Sequence, residues 1–164
     1  MTMLTSLRQL EGLPVIWQDR QMGFVERVVP DPDARYLQGI ILRKGLGAAK
    51  WAARERISVI GKRCVLLSGK PESLPRSPFP ELKLAYLTTG ERIGPITDGL
   101  LYRGSLRLMA LEISPGGLQR LRGQTAYARE YCVLKEGLRQ GQAMVTALQT
   151  WAELEQALRK EDAK

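Results

Sequence analysis

Residues 13–43, LPVIWQDRQMGFVERVVPDPDARYLQGIILR, lie without a gap over residues 84–114, LAYLTTGERIGPITDGLLYRGSLRLMALEIS, 71 positions further along the chain. Three positions are identical: Leu13/Leu84, Gly23/Gly94 and Leu37/Leu108. Around them the apolar frame is kept while the chemistry drifts, in Ile16/Leu87, Met22/Ile93, Val25/Ile96, Val29/Leu100, Gly39/Ala110, Ile40/Leu111 and Leu42/Ile113. An internal repeat of this kind decides architecture ahead of any local reading. It predicts two copies of one small β-unit.

The first copy reads as short strands separated by turns. Ser6-Leu7-Arg8-Gln9 carries a capping-box pattern for one helical turn. Residues 13–16, 23–29 and 36–42 read as strands, with Gln18-Asp19-Arg20 and Pro30-Asp31-Pro32-Asp33 as turns. Residues 45–51 read as a loop with a helical turn over 48–53, followed by strands at 57–60 and 64–67. Five short strands with no long helix between them point to a small barrel, whose closure hides sheet edges. Four prolines, Gly69 and three serines make residues 68–80 a semi-stiff linker. The second copy repeats the order with strands at 84–87, 94–101 and 106–113, with Pro95 marking an edge or bulge. Beyond Ser114-Pro115-Gly116-Gly117 the repeat weakens, with Gly123 over Gly61 and a strand-like Cys132–Leu134. Met144, Leu148, Trp151, Leu154 and Leu158 then follow at steps of 4, 3, 3 and 4, the period of an amphipathic helix.

Composition narrows the function classes. No apolar run approaches the roughly 18 residues of a membrane helix, and no signal-peptide pattern opens the chain, so a cytoplasmic location is expected. The net charge is +8. Residues 13–67 carry ten Lys/Arg against five Asp/Glu, residues 81–142 nine against six, and residues 143–164 three against four. A basic body suits an anionic partner: RNA, acidic protein or lipid headgroups. Histidine is absent, which removes the commonest general acid/base and, with only two cysteines, the usual zinc sites. Cys64 and Cys132 sit in apolar runs and read as small buried hydrophobes. No catalytic residue, metal or cofactor is expected. Asp31 and Asp33 read as turn residues, too few for a Ca²⁺ site, and Gly45-x-Gly47 with Lys50 lacks the remainder of a phosphate loop.

Two groups of residues remain as candidate surfaces. Arg43, Lys44, Lys50, Arg54 and Arg56 surround Trp51. Cations around an aromatic can hold a phosphodiester backbone and stack a base. The competing reading, which we favour, makes Trp51 a lid over the barrel and the charges a solvated rim. Arg120, Arg122 and Arg129 hold the same station in the second copy. The stripe Met144, Leu148, Trp151, Leu154 and Leu158 reads as a helix that packs on the barrels, with partner docking as the alternative.

In their order, Leu13-Pro14-Val15-Ile16, Met22-Gly23-Phe24-Val25, Pro30-Asp31-Pro32-Asp33-Ala34-Arg35 and Ile57-Ser58-Val59-Ile60-Gly61 resemble the PRC-barrel family. The second copy matches it at Glu91–Asp98 and Leu108–Ile113 and shows no clear I-x-x-I-G ending. That family includes the cytoplasmic part of the photosynthetic reaction-centre H subunit and the C-terminal domain of a bacterial ribosome-maturation factor. The resemblance implies five- or six-stranded barrels that serve as docking modules without shared catalytic residues. The expected organisation is mainly β: a first PRC-barrel at 1–68, a Pro-rich linker at 69–81, a second barrel at 82–142 and a C-terminal helix at 143–164. The expected function is a non-enzymatic cytoplasmic adaptor that docks proteins through tandem barrels. The alternative is an RNA- or ribosome-associated factor binding through the basic face of the first barrel. Units of this size are marginal alone, so packing together or forming a homodimer is expected.

Overall fold

The computed structural model describes residues 3–76, 79, 81–115 and 125–163. Arg120, Arg122, Gly116, Gly117, Gly123, Pro78 and Pro80, all used in the sequence reading, lie outside the described residues. The protein is mainly β, with two curled half-barrel sheets and a C-terminal helix. It divides into two compact units, Met1–Phe79 with Leu100–Leu108, and Pro80–Gly99 with Met109–Lys164.

In the first unit, β1 (Leu4–Ser6), a strand the sequence reading missed, pairs antiparallel with Leu100–Tyr102. It leads into α1 (Leu7–Leu10), whose capping box is complete: the Gln9 amide donates to Ser6 Oγ at 3.2 Å and the Ser6 amide to Gln9 Oε1 at 3.0 Å. The sheet is built from β2 (Pro14–Trp17), β3 (Arg20–Pro30), β4 (Leu37–Arg43), β5 (Lys50–Ala53), β6 (Ile57–Ile60), β7 (Val65–Leu67) and β8 (Glu72–Ser73). Its order is β6-β7-β2-β3-β4-β5-β8. The β2–β3 turn holds Gln18 and Asp19 at φ 49° and 62°, the left-handed pair that matches hairpin twist. Asp31 shapes the next turn, its Oδ1 accepting from the Arg35 amide at 2.9 Å. The core face is lined by Val15, Val25, Ile40, Leu42, Ala52, Ile60 and Val65, all buried.

The second sheet contains β9 (Leu84–Leu87), β10 (Arg92–Tyr102), β11 (Arg107–Ile113), β12 (Ala126–Ala128), β13 (Tyr131–Val133) and β14 (Ala143–Val145). Its order, β13-β14-β9-β10-β11-β12, repeats β6-β7-β2-β3-β4-β5 of the first sheet, with no counterpart of β8 among the described residues. β2 pairs in parallel with β7 and β9 in parallel with β14. The closing strands of the second copy are therefore β13, one residue from the strand-like Cys132–Leu134 of the sequence, and β14, which the sequence did not reveal. Gly23 and Gly94 are equivalent in detail. A Cβ on Gly23 would stand 2.6 Å from the Arg43 carbonyl oxygen, and one on Gly94 would fall against that of Ser114, again 71 positions on. Both glycines have φ in the region that side chains avoid.

The gapless alignment needs one correction. Val15 faces Gly23, whereas Ala85 faces Gly94. The Val25 amide donates to the Leu13 carbonyl and the Ile96 amide to the Lys83 carbonyl, both at 2.9 Å. The β9–β10 turn is thus one residue longer, and Leu13 corresponds to Lys83 rather than to Leu84.

Three local expectations are also overturned. The alanine-rich stretch 48–53 is the strand β5 from Lys50, because pairing with β4 and β8 overrides its helix propensity. The start of the linker supplies β8. Residues 142–150 are not helical: β14 occupies 143–145, and the helix α2 runs Trp151–Asp162 from a Thr150 cap whose side chain accepts from the Glu153 amide.

Candidate functional site

Trp51 stands on β5 opposite Ile41 and is only 7% exposed. It packs with Val29 and Ile41, against Ala49 and Ala53, and the Phe79 ring stacks on it at 4.4 Å between centroids. Trp51 is a core side chain with no free face on which to stack a base. Gly39 makes room for it and for the neighbouring strand: a Cβ there would stand 2.5 Å from two atoms of the indole and 2.5 Å from the Ala52 carbonyl oxygen.

The cations named with Trp51 are largely held. Arg43 pairs with Glu26, Nε to Oε1 at 3.0 Å, and donates through Nη1 to the Gly47 carbonyl at 3.0 Å. The Arg54 guanidinium lies 5.2 Å from the Tyr36 ring centroid. Arg56 pairs with Glu72 and donates to the Lys70 carbonyl, tying β8 to the 3-10 turn at Arg54–Arg56. Lys44 and Lys50 are exposed. In the second unit, Arg129 pairs with Glu161 of α2.

The proposed docking stripe does not lie on one helix. Met144 sits half-buried on β14, and Leu148 is exposed in the segment before α2. Trp151 opens the helix, 44% exposed, with its ring tilted against Tyr127 at 5.4 Å. Leu154 and Leu158 alone form the buried stripe. Cys64 is half-buried and Cys132 exposed, against the expectation of two buried thiols.

The sequence reading missed a different surface, on the face of the first sheet opposite its core. Residues paired across strands share a face. Register therefore aligns Val59 with Leu66 and Leu66 with Ile16, and beside that row Pro14 with Phe24 and Phe24 with Arg43. A third row on this outer face is Arg27, Ile41, Trp51 and Glu72. Trp51 and Phe79 thus cover the β4–β5 half of the outer face. Among the described residues nothing covers β6, β7, β2 and the start of β3, where Phe24 and Val59 are each 49% and Leu66 38% exposed. The signal was present in Ile57-Ser58-Val59-Ile60 and Val65-Leu66-Leu67, which lack the polar alternation of a half-solvated strand.

Among the described residues, no group of three or more His, Cys, Asp or Glu side chains could hold a metal ion. Among the described residues no helix is long and apolar enough to cross a membrane. The class defined is a doubled, curled β-sheet protein with an exposed apolar outer face. No protein-family model and no curated protein matches the chain.

Proposed function

We propose that this chain is a non-enzymatic, cytoplasmic adaptor of the PRC-barrel type, with each sheet one barrel-like module that docks other proteins. The observation that carries the reading is the bare apolar half of the outer face: Phe24, Val59 and Leu66 point away from the core and are more than a third exposed. Contiguous exposed apolar side chains rimmed by polar ones mark interaction sites. The matching strand order of the two sheets supports a docking module used twice. RNA association is the weaker reading, because Trp51 is buried and Arg43, Arg54 and Arg56 are engaged. Capture from native lysate on the immobilised chain, with and without nuclease, tests the proposal. A protein retained after nuclease and released by Phe24→Asp supports docking. Loss of all captured protein on nuclease treatment supports the RNA reading instead.

A further inference from the structure

We infer that the bare part of the outer face of the first sheet docks an acidic amphipathic helix of another protein. This rests on the adaptor reading and names its partner class. Register fixes the counterparts: Val59 and Leu66 correspond to Cys132 and Met144, Ile16 to Tyr86, Pro14 to Leu84 and Phe24 to Pro95. All ten are uncharged, and nine are apolar or aromatic outright. Other outward positions have drifted freely, Glu26 to Thr97 and Arg43 to Ser114. Two copies that keep only the identities Gly23/Gly94 and Leu37/Leu108 in the stretch as corrected have kept this face apolar.

Spacing selects a helix. Val59, Leu66 and Ile16 lie on three adjacent strands about 4.8 Å apart, a row of about 9.6 Å. Helix positions i, i+3/i+4 and i+7 fall about 5.3 Å apart along the axis and span about 10.5 Å. Same-side residues of an extended chain are about 6.8 Å apart and overshoot the row. The register shift between Ile57 and Val59 bulges the edge strand β6, and an edge bulge opposes regular strand addition. Charge selects acidity. Lys62 and Arg63 are exposed in the turn joining β6 to β7, and Arg20 is exposed at the start of β3, with Asp19 the acid beside it. In the second unit Lys83 and Arg92 are exposed beside Leu84 and Tyr86, with Glu91 the exposed acid beside Arg92.

The test is selection of a random peptide display library on the immobilised full chain. Synthetic versions of the winners are then titrated against wild type, Leu66→Asp and Leu66→Ser. Enriched sequences should place apolar residues at i, i+3/i+4 and i+7, flanked by Asp or Glu. Leu66→Asp should weaken binding at least about tenfold, as for a central interface residue, and Leu66→Ser should weaken it less. Leu66 is outward-facing, so both variants should keep the wild-type far-ultraviolet circular dichroism. No enrichment, basic or strictly alternating winners, or affinity unchanged in Leu66→Asp would overturn the inference. So would a wild-type dimer made monomeric by Leu66→Asp, or sedimentation with phosphatidylserine vesicles lost in that variant. If lysate capture yields nuclease-resistant protein that Leu66→Asp still retains, this inference falls and the adaptor reading stands. If no protein is captured, the adaptor reading itself falls.

Discussion

At the residue scale, the two copies solve one packing problem with two pairs of side chains. Trp51 and Tyr127 are equivalent, because Trp51 faces Ile41 and Tyr127 faces Glu112, 71 positions on. Gly39 lies against the indole, and its counterpart 71 positions on is Ala110, buried in the copy whose ring is the smaller phenol. Gly39→Ala should therefore destabilise the protein by about 1–3 kcal/mol, the usual cost of overpacking. Trp51→Tyr alone should also cost stability, by leaving space under Phe79. The double variant relieves the contact with the indole and not that with the Ala52 carbonyl, so it should recover only part of the loss, and a double-mutant cycle by denaturant unfolding should show favourable coupling of about 0.5 kcal/mol or more. Strict additivity would show that the two positions are not matched. The Gly39/Ala110 drift was visible in the sequence. Its cause was not, because the ring that dictates it arrives from a strand mistaken for a helical turn.

At the element scale, the sequence was legible wherever a strand carried its own pattern and illegible wherever pairing supplied it. β3, β4, β10 and β11 are long and apolar, and their repeat shows through. β13 and β14 have three residues each, and the insertions around them erase the repeat. Cys132–Leu134 was strand-like by itself, but β14 does not read as a strand until β9 stands between it and β10. The step from Met144 to Trp151 mimicked helical spacing, yet Thr150-Trp151-Ala152-Glu153 already held the N-terminal pattern of the true helix. The buried and exposed members of the former stripe should now separate by thermal unfolding. Leu154→Ala should cost about 2–5 kcal/mol as a buried leucine. Thr150→Ala should cost about 1 kcal/mol through the lost cap. Leu148→Ala, at an exposed site, should stay within about 0.5 kcal/mol. Truncation after Thr150 should lower the melting temperature and leave the first unit folded. Truncation after Gln142 also removes β14 from between β13 and β9, and should abolish the cooperative transition of the second unit. Equal behaviour of the two truncations would show that β14 does not hold that sheet.

At the scale of the whole molecule, a net charge of +8 ensures some attraction to polyanions, and the question is whether any of it is organised into a site. The candidate site was legible only as a list of residue types: composition showed cations near Trp51, and only tertiary structure showed which were already matched. Arg43 faces Glu26, Arg56 faces Glu72, Arg54 lies against Tyr36, and Trp51 is buried, which leaves Lys44 and Lys50 exposed. Each phosphate contact on single-stranded nucleic acid contributes about −0.7 to the slope of log K against log salt. Replacing Lys44 and Lys50 by Gln should therefore make the slope for a single-stranded RNA shallower by about 1.4. Replacing Arg43, Arg54 and Arg56 as well should change it little further, although a five-contact site would lose about 3.5. Trp51→Phe should leave RNA affinity unchanged while lowering the melting temperature, since its ring packs the core and touches no base. Binding titrations from low to moderate salt decide the matter. A loss near 3.5 with RNA affinity dependent on Trp51 would restore the basic face as a nucleic-acid site. A loss near 1.4 with no dependence on Trp51 leaves diffuse attraction only, and the apolar outer face as the organised surface.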